Sequence, residues 1–87
     1  MPDGTVTTRT IDTSGLACPL PVLKARKALI SMAPGETLGL TATDPLAAID
    51  IPHFCAEAGH RLIASSEQDG ILSFVVERGP GPGNGEP

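Results

Sequence analysis

Polar and apolar residues alternate most regularly towards the end of the chain. Arg61–Gln68 and Ile71–Arg78 flank the pair Asp69-Gly70, and every other residue of the second arm is apolar. An Asp-Gly pair between two such arms is typical of a type I′ turn. The pattern therefore predicts a β-hairpin built from these two strands.

Two further strands are predicted upstream of the hairpin. Thr5–Asp12 is rich in threonine and other β-branched residues, and the loop sequence Thr13-Ser14-Gly15 follows it. Thr37–Thr43 alternates in polarity and places two leucines and an alanine on one face. Each of these strands precedes a segment with helical periodicity.

The two helical segments lie between the strands. In Pro19–Met32 apolar residues recur every three or four positions, and Leu46–Ala58 shows the same period. Pro52 removes a backbone donor from the second segment. We expect a loose turn first and a regular helix from about Ile51, with Pro52 in its first turn and Gly59 at its end.

The predicted order is β-α-β-α-β-β. Crossover helices imply parallel pairing of the early strands, and the hairpin adds an antiparallel pair. The chain has 87 residues, so we expect an α/β fold of the α+β two-layer type. It would have a four-stranded mixed sheet and two helices on one face. Composition predicts one domain at residues 5–78, after a disordered start at 1–4 and before a disordered Gly/Pro-rich tail at 79–87.

Composition and charge oppose several classes of function. The net charge is −4, and the chain has two phenylalanines but no tryptophan or tyrosine, which disfavours nucleic-acid binding. No apolar run approaches a membrane span, and no secretory signal is visible at the start. Two cysteines in such a chain are typical of reduced thiols. We expect a cytoplasmic protein that binds neither membranes nor nucleic acid directly.

The stretch around Cys18 carries the strongest chemical signal. With Cys18 as N-cap, Pro19 would take N1 and Pro21 N3, and the Leu20 N–H would be the main donor near the sulfur. The helix dipole would then favour the thiolate. A second register, with Leu20 as N-cap and Pro21 at N1, would leave Cys18 in the loop. The residues alone leave open both a reactive thiol and a cysteine buried after a strand.

This stretch, from Asp12 through Cys18-Pro19-Leu20-Pro21, resembles the CPxP signature of the TusA/SirA-like sulfur-carrier family. A second block, from Asp44-Pro45 to Gly59-His60, matches the same family, and the resemblance covers about Arg9 to Arg78. It implies the family's β-α-β-α-β-β sandwich. The Gly/Pro tail departs from the family pattern. Cys18 would be the catalytic residue, and the supporting motif residues would be Gly15, Pro19, Leu20 and Pro21.

The resemblance implies a sulfurtransferase that acts as a protein-to-protein persulfide relay. Cys18 would accept sulfane sulfur from a cysteine desulfurase or a rhodanese-type protein and pass it to an acceptor protein's cysteine. Family outlets include tRNA thiolation, molybdenum-cofactor assembly and sulfur oxidation. No cofactor or metal is expected. We expect a monomer that forms transient complexes, with partner docking on the basic helix edge of Lys24, Arg26 and Lys27.

The remaining polar residues have ordinary structural roles as their first interpretation. Cys55 is expected to pack in the core, with a resolving role towards Cys18 as the alternative. Asp44 is expected to act as a turn and helix-start device, with a catalytic acid as the alternative, and His53 and His60 as surface or capping residues. Arg26 either extends from the apolar face to solvent or holds a negative group near the reactive sulfur.

Two rival functions stay open at this level. One is a non-catalytic regulatory or interaction module with the same fold. The other is a thiol redox switch that pairs Cys18 with Cys55, which requires Cα atoms within about 7 Å of each other.

Overall fold

The computed structural model describes residues 9–80. The predicted order of elements is confirmed, and their bounds are β1 Arg9–Thr13, α1 Leu20–Ile30, β2 Thr37–Ala42, α2 Ala47–Ala58, β3 Arg61–Gln68 and β4 Ile71–Glu77. The first strand was predicted to start at Thr5, and its first four residues lie outside the described range. None of the helices within residues 9–80 is long and apolar enough to cross a bilayer.

The four strands form one mixed sheet in the order β1-β2-β4-β3. β1 runs parallel to β2, whereas β4 pairs antiparallel with both β2 and β3. α1 packs against β1 and β2, and α2 packs against β3 and β4. The predicted fold class, two helices on one face of a four-stranded mixed sheet, is therefore confirmed.

The core lies between the helices and one face of the sheet. β2 and β4 each turn alternate residues inward, as their patterns predict. The helices contribute mainly small and aliphatic side chains to the same layer. The buried apolar residues are Ala25, Ala28, Leu29, Met32, Leu38, Leu40, Ala42, Ala47, Ile51, Phe54, Cys55, Leu72, Phe74 and Val76.

The first strand extends further than predicted. Thr13, assigned to a loop in the prediction, is the last residue of β1 and pairs with Ala42 of β2. Its side chain is 1% exposed, and its Oγ1 donates to the Thr41 carbonyl over 2.6 Å. A buried hydroxyl needs such a partner, and the parallel neighbour strand provides it. β2 ends one residue earlier than predicted, at Ala42.

The second helix begins earlier than predicted. We expected a regular helix from about Ile51, but α2 starts at Ala47 and includes Pro52 in its interior. Asp44 explains the early start, because its Oδ1 accepts the Leu46 N–H over 3.0 Å and its carbonyl accepts the Ala47 N–H over 2.9 Å. Gly59 ends the helix with φ +81°, as predicted.

The hairpin follows the sequence pattern closely. Asp69 and Gly70 have φ values of +54° and +81°, as the predicted type I′ turn requires. The register between β3 and β4 shifts between Leu62 and Ala64, which marks a β-bulge in the edge strand β3. β4 ends at Glu77, one residue before the predicted limit.

The residues after β4 continue the packed structure. Arg78 is 6% exposed, and its guanidinium donates from Nε to the Leu29 carbonyl over 3.2 Å and from Nη1 to the Gly79 carbonyl over 2.7 Å. The Gly79 N–H donates to His60 Nδ1 over 2.9 Å. His60 is 8% exposed, so its predicted surface position is wrong. The predicted tail also starts too early, because Gly79 belongs to the packed unit; residues 81–87 lie outside the described range.

Candidate active site around Cys18

Cys18 lies in the loop between β1 and α1 and is exposed. The parallel pairing of β1 with β2 means that α1 and α2 both start at the same end of the sheet. The loop is fixed there by the residues that follow β2. Gly15 adopts φ +84°, and its N–H donates to Thr43 Oγ1 over 2.8 Å. A left-handed conformation suits glycine, so Gly15 can adopt the backbone turn of this loop without strain.

Asp44 joins the Cys18 loop to the start of α2. Its Oδ2 accepts the Cys18 N–H over 2.7 Å, while its Oδ1 accepts the Leu46 N–H. These two backbone hydrogen bonds, from Cys18 first and Leu46 second, hold the pKa of the Asp44 carboxyl below its usual value. The expected role of Asp44 as a turn and helix-start device is confirmed.

The start of α1 differs from both predicted registers. Pro19 is the N-cap, Leu20 is the first helical residue and Pro21 is the second, while Cys18 precedes the cap. The Cys18–Pro19 peptide bond is cis. The Leu20 N–H donates to the Ala17 carbonyl over 2.8 Å and closes a turn before the helix. The prediction that this N–H approaches the sulfur is therefore wrong.

The sulfur of Cys18 instead faces a carboxylate. Sγ donates to Asp50 Oδ2 over 2.6 Å. This hydrogen bond raises the pKa of the Cys18 thiol above its usual value, with added contributions from desolvation and from the negative charges of Asp50 and Asp44. The sequence argument from the helix dipole predicted a shift towards the thiolate. That prediction is wrong for this state of the protein, because the acceptor carboxylate stabilises the protonated thiol.

A shallow groove of about 220 Å³ begins at Cys18 and runs between the two helices. The Arg26 guanidinium lies over the Phe54 ring, with Cζ 5.2 Å from the ring centroid. The groove therefore has an apolar floor with charged side chains around it. Its lining residues are Cys18, Pro19, Val22, Arg26, Asp50, His53, Phe54 and Glu57.

The three predicted docking residues lie on two sides of α1. Arg26 lines the groove at Cys18. Lys24 and Lys27 are exposed and line a different groove, shared with β1 residues that include Arg9 and Asp12. They do not form one basic edge with Arg26. Helical spacing explains the division, because i+1 and i+2 neighbours point in different directions.

Cys55 and His53 are separated from the sulfur chemistry in different ways. Cys55 is 2% exposed and packs in the core, as expected, and burial raises the pKa of its thiol to about 11. His53 is exposed and its Nε2 lies 3.2 Å from Glu57 Oε2, one helical turn away.

Within residues 9–80, no three histidine, cysteine or acidic side chains are grouped closely enough to hold a metal ion.

Sequence reasoning missed Asp50 as a neighbour of Cys18. The two residues are 32 positions apart, so no local pattern connects them. The usable signal was topological. Parallel strands with crossover helices bring both helix starts to one end of the sheet, and Asp50 lies in the first turn of α2.

Comparisons with known proteins define the class. A protein-family model described as sulfurtransferase TusA matches residues 9–78. The chain therefore belongs to the TusA sulfurtransferase family, and the resemblance noted in the sequence is confirmed at the level of the family.

Named relatives agree with this assignment. The chain is 48% identical over 68 residues to a Neisseria meningitidis serogroup A protein provisionally named a sulfur carrier protein, a match that covers 78% of this chain and 92% of that protein. It is 40% identical over 68 residues to the sulfur carrier protein TusA of Allochromatium vinosum, covering 78% and 90%. The crystal structure of a SirA-like protein from Desulfitobacterium hafniense has a TM-score of 0.73 at 25% identity, covering 82% and 97%.

Proposed function

We propose that this protein is a sulfur carrier in which Cys18 holds sulfane sulfur as a persulfide. The observation that carries the proposal is the contrast between the two cysteines of the chain. Cys18 is exposed on a loop fixed at the helix starts, whereas Cys55 is buried in the core. A partner's sulfur must approach the carrier's sulfur directly, and Cys18 alone offers that access.

The transfer step is a thiol exchange without net oxidation. The Cys18 sulfur attacks the outer sulfur of a donor protein's persulfide, a new S–S bond forms, and the donor's own S–S bond breaks. The donor cysteine leaves as a thiolate and ends as a thiol with the proton that Cys18 gave up. Unloading is the same step with Cys18 as the leaving group and an acceptor protein's cysteine as the nucleophile.

The proposed donor is a cysteine desulfurase or a rhodanese-type protein, and the acceptor is a protein of tRNA thiolation, molybdenum-cofactor assembly or sulfur oxidation. Docking uses Arg26 at the groove, and Lys24 and Lys27 on the other side of α1 supply a second contact. Complexes of this kind are transient, so the carrier is a monomer between them. The cytoplasm suits this chemistry because free thiols persist there.

Mass spectrometry after incubation with a donor tests the proposal. Rhodanese with thiosulfate, or a desulfurase with cysteine, is expected to add one sulfur atom of about 32 Da to the unaltered chain. The Cys55→Ser chain is expected to load, and the Cys18→Ser chain is not. Sulfur that still accumulates on the Cys18→Ser chain would overturn the assignment. If the Cys18→Ser chain fully replaces the unaltered chain in a cell, the protein is better described as a non-catalytic regulatory or interaction module.

A further inference from the structure

We propose that Asp50 is a positioning residue for Cys18: its carboxylate holds the thiol proton in the free carrier, and a basic side chain of the docking partner displaces it. This inference rests on the proposed function of Cys18. It adds a condition on reactivity and a chemical description of the partner, which must present a cation next to its own reactive sulfur.

The hydrogen bond is the main observation. Cys18 Sγ to Asp50 Oδ2 is 2.6 Å, a short contact for sulfur and oxygen, which fixes the direction of the S–H bond. The backbone on both sides of the contact is also held, because the Asp44 carboxylate accepts the Cys18 N–H and the Leu46 N–H just before α2. The loop that carries Cys18 and the start of the helix that carries Asp50 are therefore both held in place by Asp44.

The charges around the sulfur come from three elements. α2 contributes Asp50, His53 and Glu57, the segment before α2 contributes Asp44, and α1 contributes Arg26. His53 pairs with Glu57, and Arg26 lies over Phe54. The carboxylates of Asp50 and Asp44 both oppose ionisation of the Cys18 thiol. A free carrier with this arrangement keeps its exposed thiol protonated.

Protonation has a clear chemical benefit and a clear cost. A protonated thiol is a poor nucleophile and resists oxidation to sulfenic acid, so the free carrier is protected between encounters. Attack on a donor persulfide requires the thiolate. When a lysine or arginine of the partner pairs with Asp50, the Cys18 S–H loses its hydrogen-bond acceptor. The same pairing neutralises the negative charge that opposes formation of the Cys18 thiolate. The Cys18 proton then passes to the donor cysteine that leaves, so the exchange stays balanced.

The first test is the pH profile of Cys18 alkylation by iodoacetamide, read by mass spectrometry on the full chain. Asp50→Asn keeps the shape of the side chain but removes its charge, so the profile is expected to shift to lower pH. At pH 7 the rate is expected to rise roughly two- to fivefold, the upper limit being the effect of one unit charge about 4 Å away in water. A less basic thiolate is a weaker nucleophile, which sets the lower limit.

Glu57→Gln is the matched control. Glu57 lines the same groove and carries the same charge, but it pairs with His53. The pH profile of Cys18 alkylation in the Glu57→Gln chain is expected to match that of the unaltered chain. Equal profiles for Asp50→Asn and the unaltered chain, or equal shifts in both variants, would overturn the inference. Asp50→Ala provides a second neutral variant if Asp50→Asn does not fold.

The second test uses charged thiol reagents of equal size. A cationic methanethiosulfonate is expected to modify Cys18 faster than an anionic one, and Asp50→Asn is expected to reduce that ratio roughly fivefold. Both tests measure the thiol without any sulfur donor. If Cys18 fails to load sulfur while these shifts appear, the proposed function is wrong and the role of Asp50 stands. If Cys18 loads sulfur normally and the shifts are absent, the proposed function stands and the role of Asp50 is wrong.

Discussion

His60 Nδ1 accepts a hydrogen bond from the Gly79 N–H over 2.9 Å, so a residue between α2 and β3 holds the segment that follows β4. The imidazole also lies against Phe54, with ring centroids 5.6 Å apart. Among the described residues its Nε2 has no hydrogen-bond partner and is buried. The neutral ring therefore carries its proton on Nε2, and a second proton would have to enter at Nδ1, where it would break the bond to Gly79.

Acid is expected to weaken the fold through His60. Burial, and then the charge of Arg78, hold the pKa of His60 below its usual value. The unfolded chain thus binds the proton first, so the stabilisation is complete above about pH 6.5 and is lost as the pH falls. Urea unfolding at pH 7.5, 6.5 and 5.5 measures the effect.

His60→Asn places an oxygen acceptor near the position of Nδ1 but does not titrate, so the acid-dependent loss in this range is expected to disappear. His53→Gln is the matched control, because it removes the other histidine of the chain at an exposed position. A flat pH dependence in the unaltered chain would contradict the prediction. Asp12 and Asp44, whose pKa values are lowered by hydrogen bonds, titrate outside this range.

Removing the Arg78 guanidinium is expected to destabilise the protein. Arg78→Met leaves the carbonyls of Leu29 and Gly79 without these charged donors. The expected loss in free energy of unfolding is about 1.5–3 kcal/mol. Arg61→Met is the control, because Arg61 is exposed and lies 3.7 Å from Glu77 in a surface pair that contributes less than about 1 kcal/mol. Equal losses in the two variants would show that burial of Arg78 has no special effect.

The boundary of the packed unit can be tested at Gly79. A Cβ there would clash with the Gly59 carbonyl oxygen, so Gly79→Ala forces two backbone segments apart. We expect a loss of about 1–3 kcal/mol, the usual cost of overpacking. A chain shortened after Pro80 is expected to keep both its stability and its sulfur loading. Reduced stability of that shortened chain would move the boundary further towards the end.

The two cysteines are expected to differ in how much their substitution destabilises the protein and in how fast their thiols are alkylated. Cys55→Ser places a hydroxyl in an apolar layer, with an expected loss of about 1–3 kcal/mol, whereas Cys18→Ser on the exposed loop has little effect. At pH 8 iodoacetamide is expected to label Cys18 in the folded chain and Cys55 only in urea, because the pKa of Cys55 is about 11. Rapid labelling of Cys55 in the folded state would contradict its core position.

The local sequence pattern predicted the structure correctly wherever a single segment determines its own conformation. The hairpin was predicted with its turn type because Asp69-Gly70 determines the backbone conformation there. The inward faces of β2 and β4 followed from alternation alone. The start of α2 differs from the prediction because the hydrogen bonds of Asp44 to Leu46 and Ala47 begin the helix before Pro52.

Long-range contacts limited what could be predicted at the site. Cys18 is predicted to be the sulfur-bearing residue from its neighbours in the sequence. The hydrogen bond of its thiol to Asp50 over 2.6 Å was not predicted, because only the parallel crossover brings the two residues together. Arg26 and Lys24 were grouped in one predicted docking edge, but they line different grooves on two sides of α1. Arg78 was read as the end of a strand because nothing local indicates the Leu29 carbonyl that it reaches.

The β-bulge in β3 has a consequence for crowded solutions. β3 is an edge strand with largely exposed side chains, and its register breaks between Leu62 and Ala64. A bent edge is a poor template for strand addition by another chain, and the charges of Arg61 and Glu67 oppose it further. Strand-to-strand association of copies is therefore disfavoured at this edge.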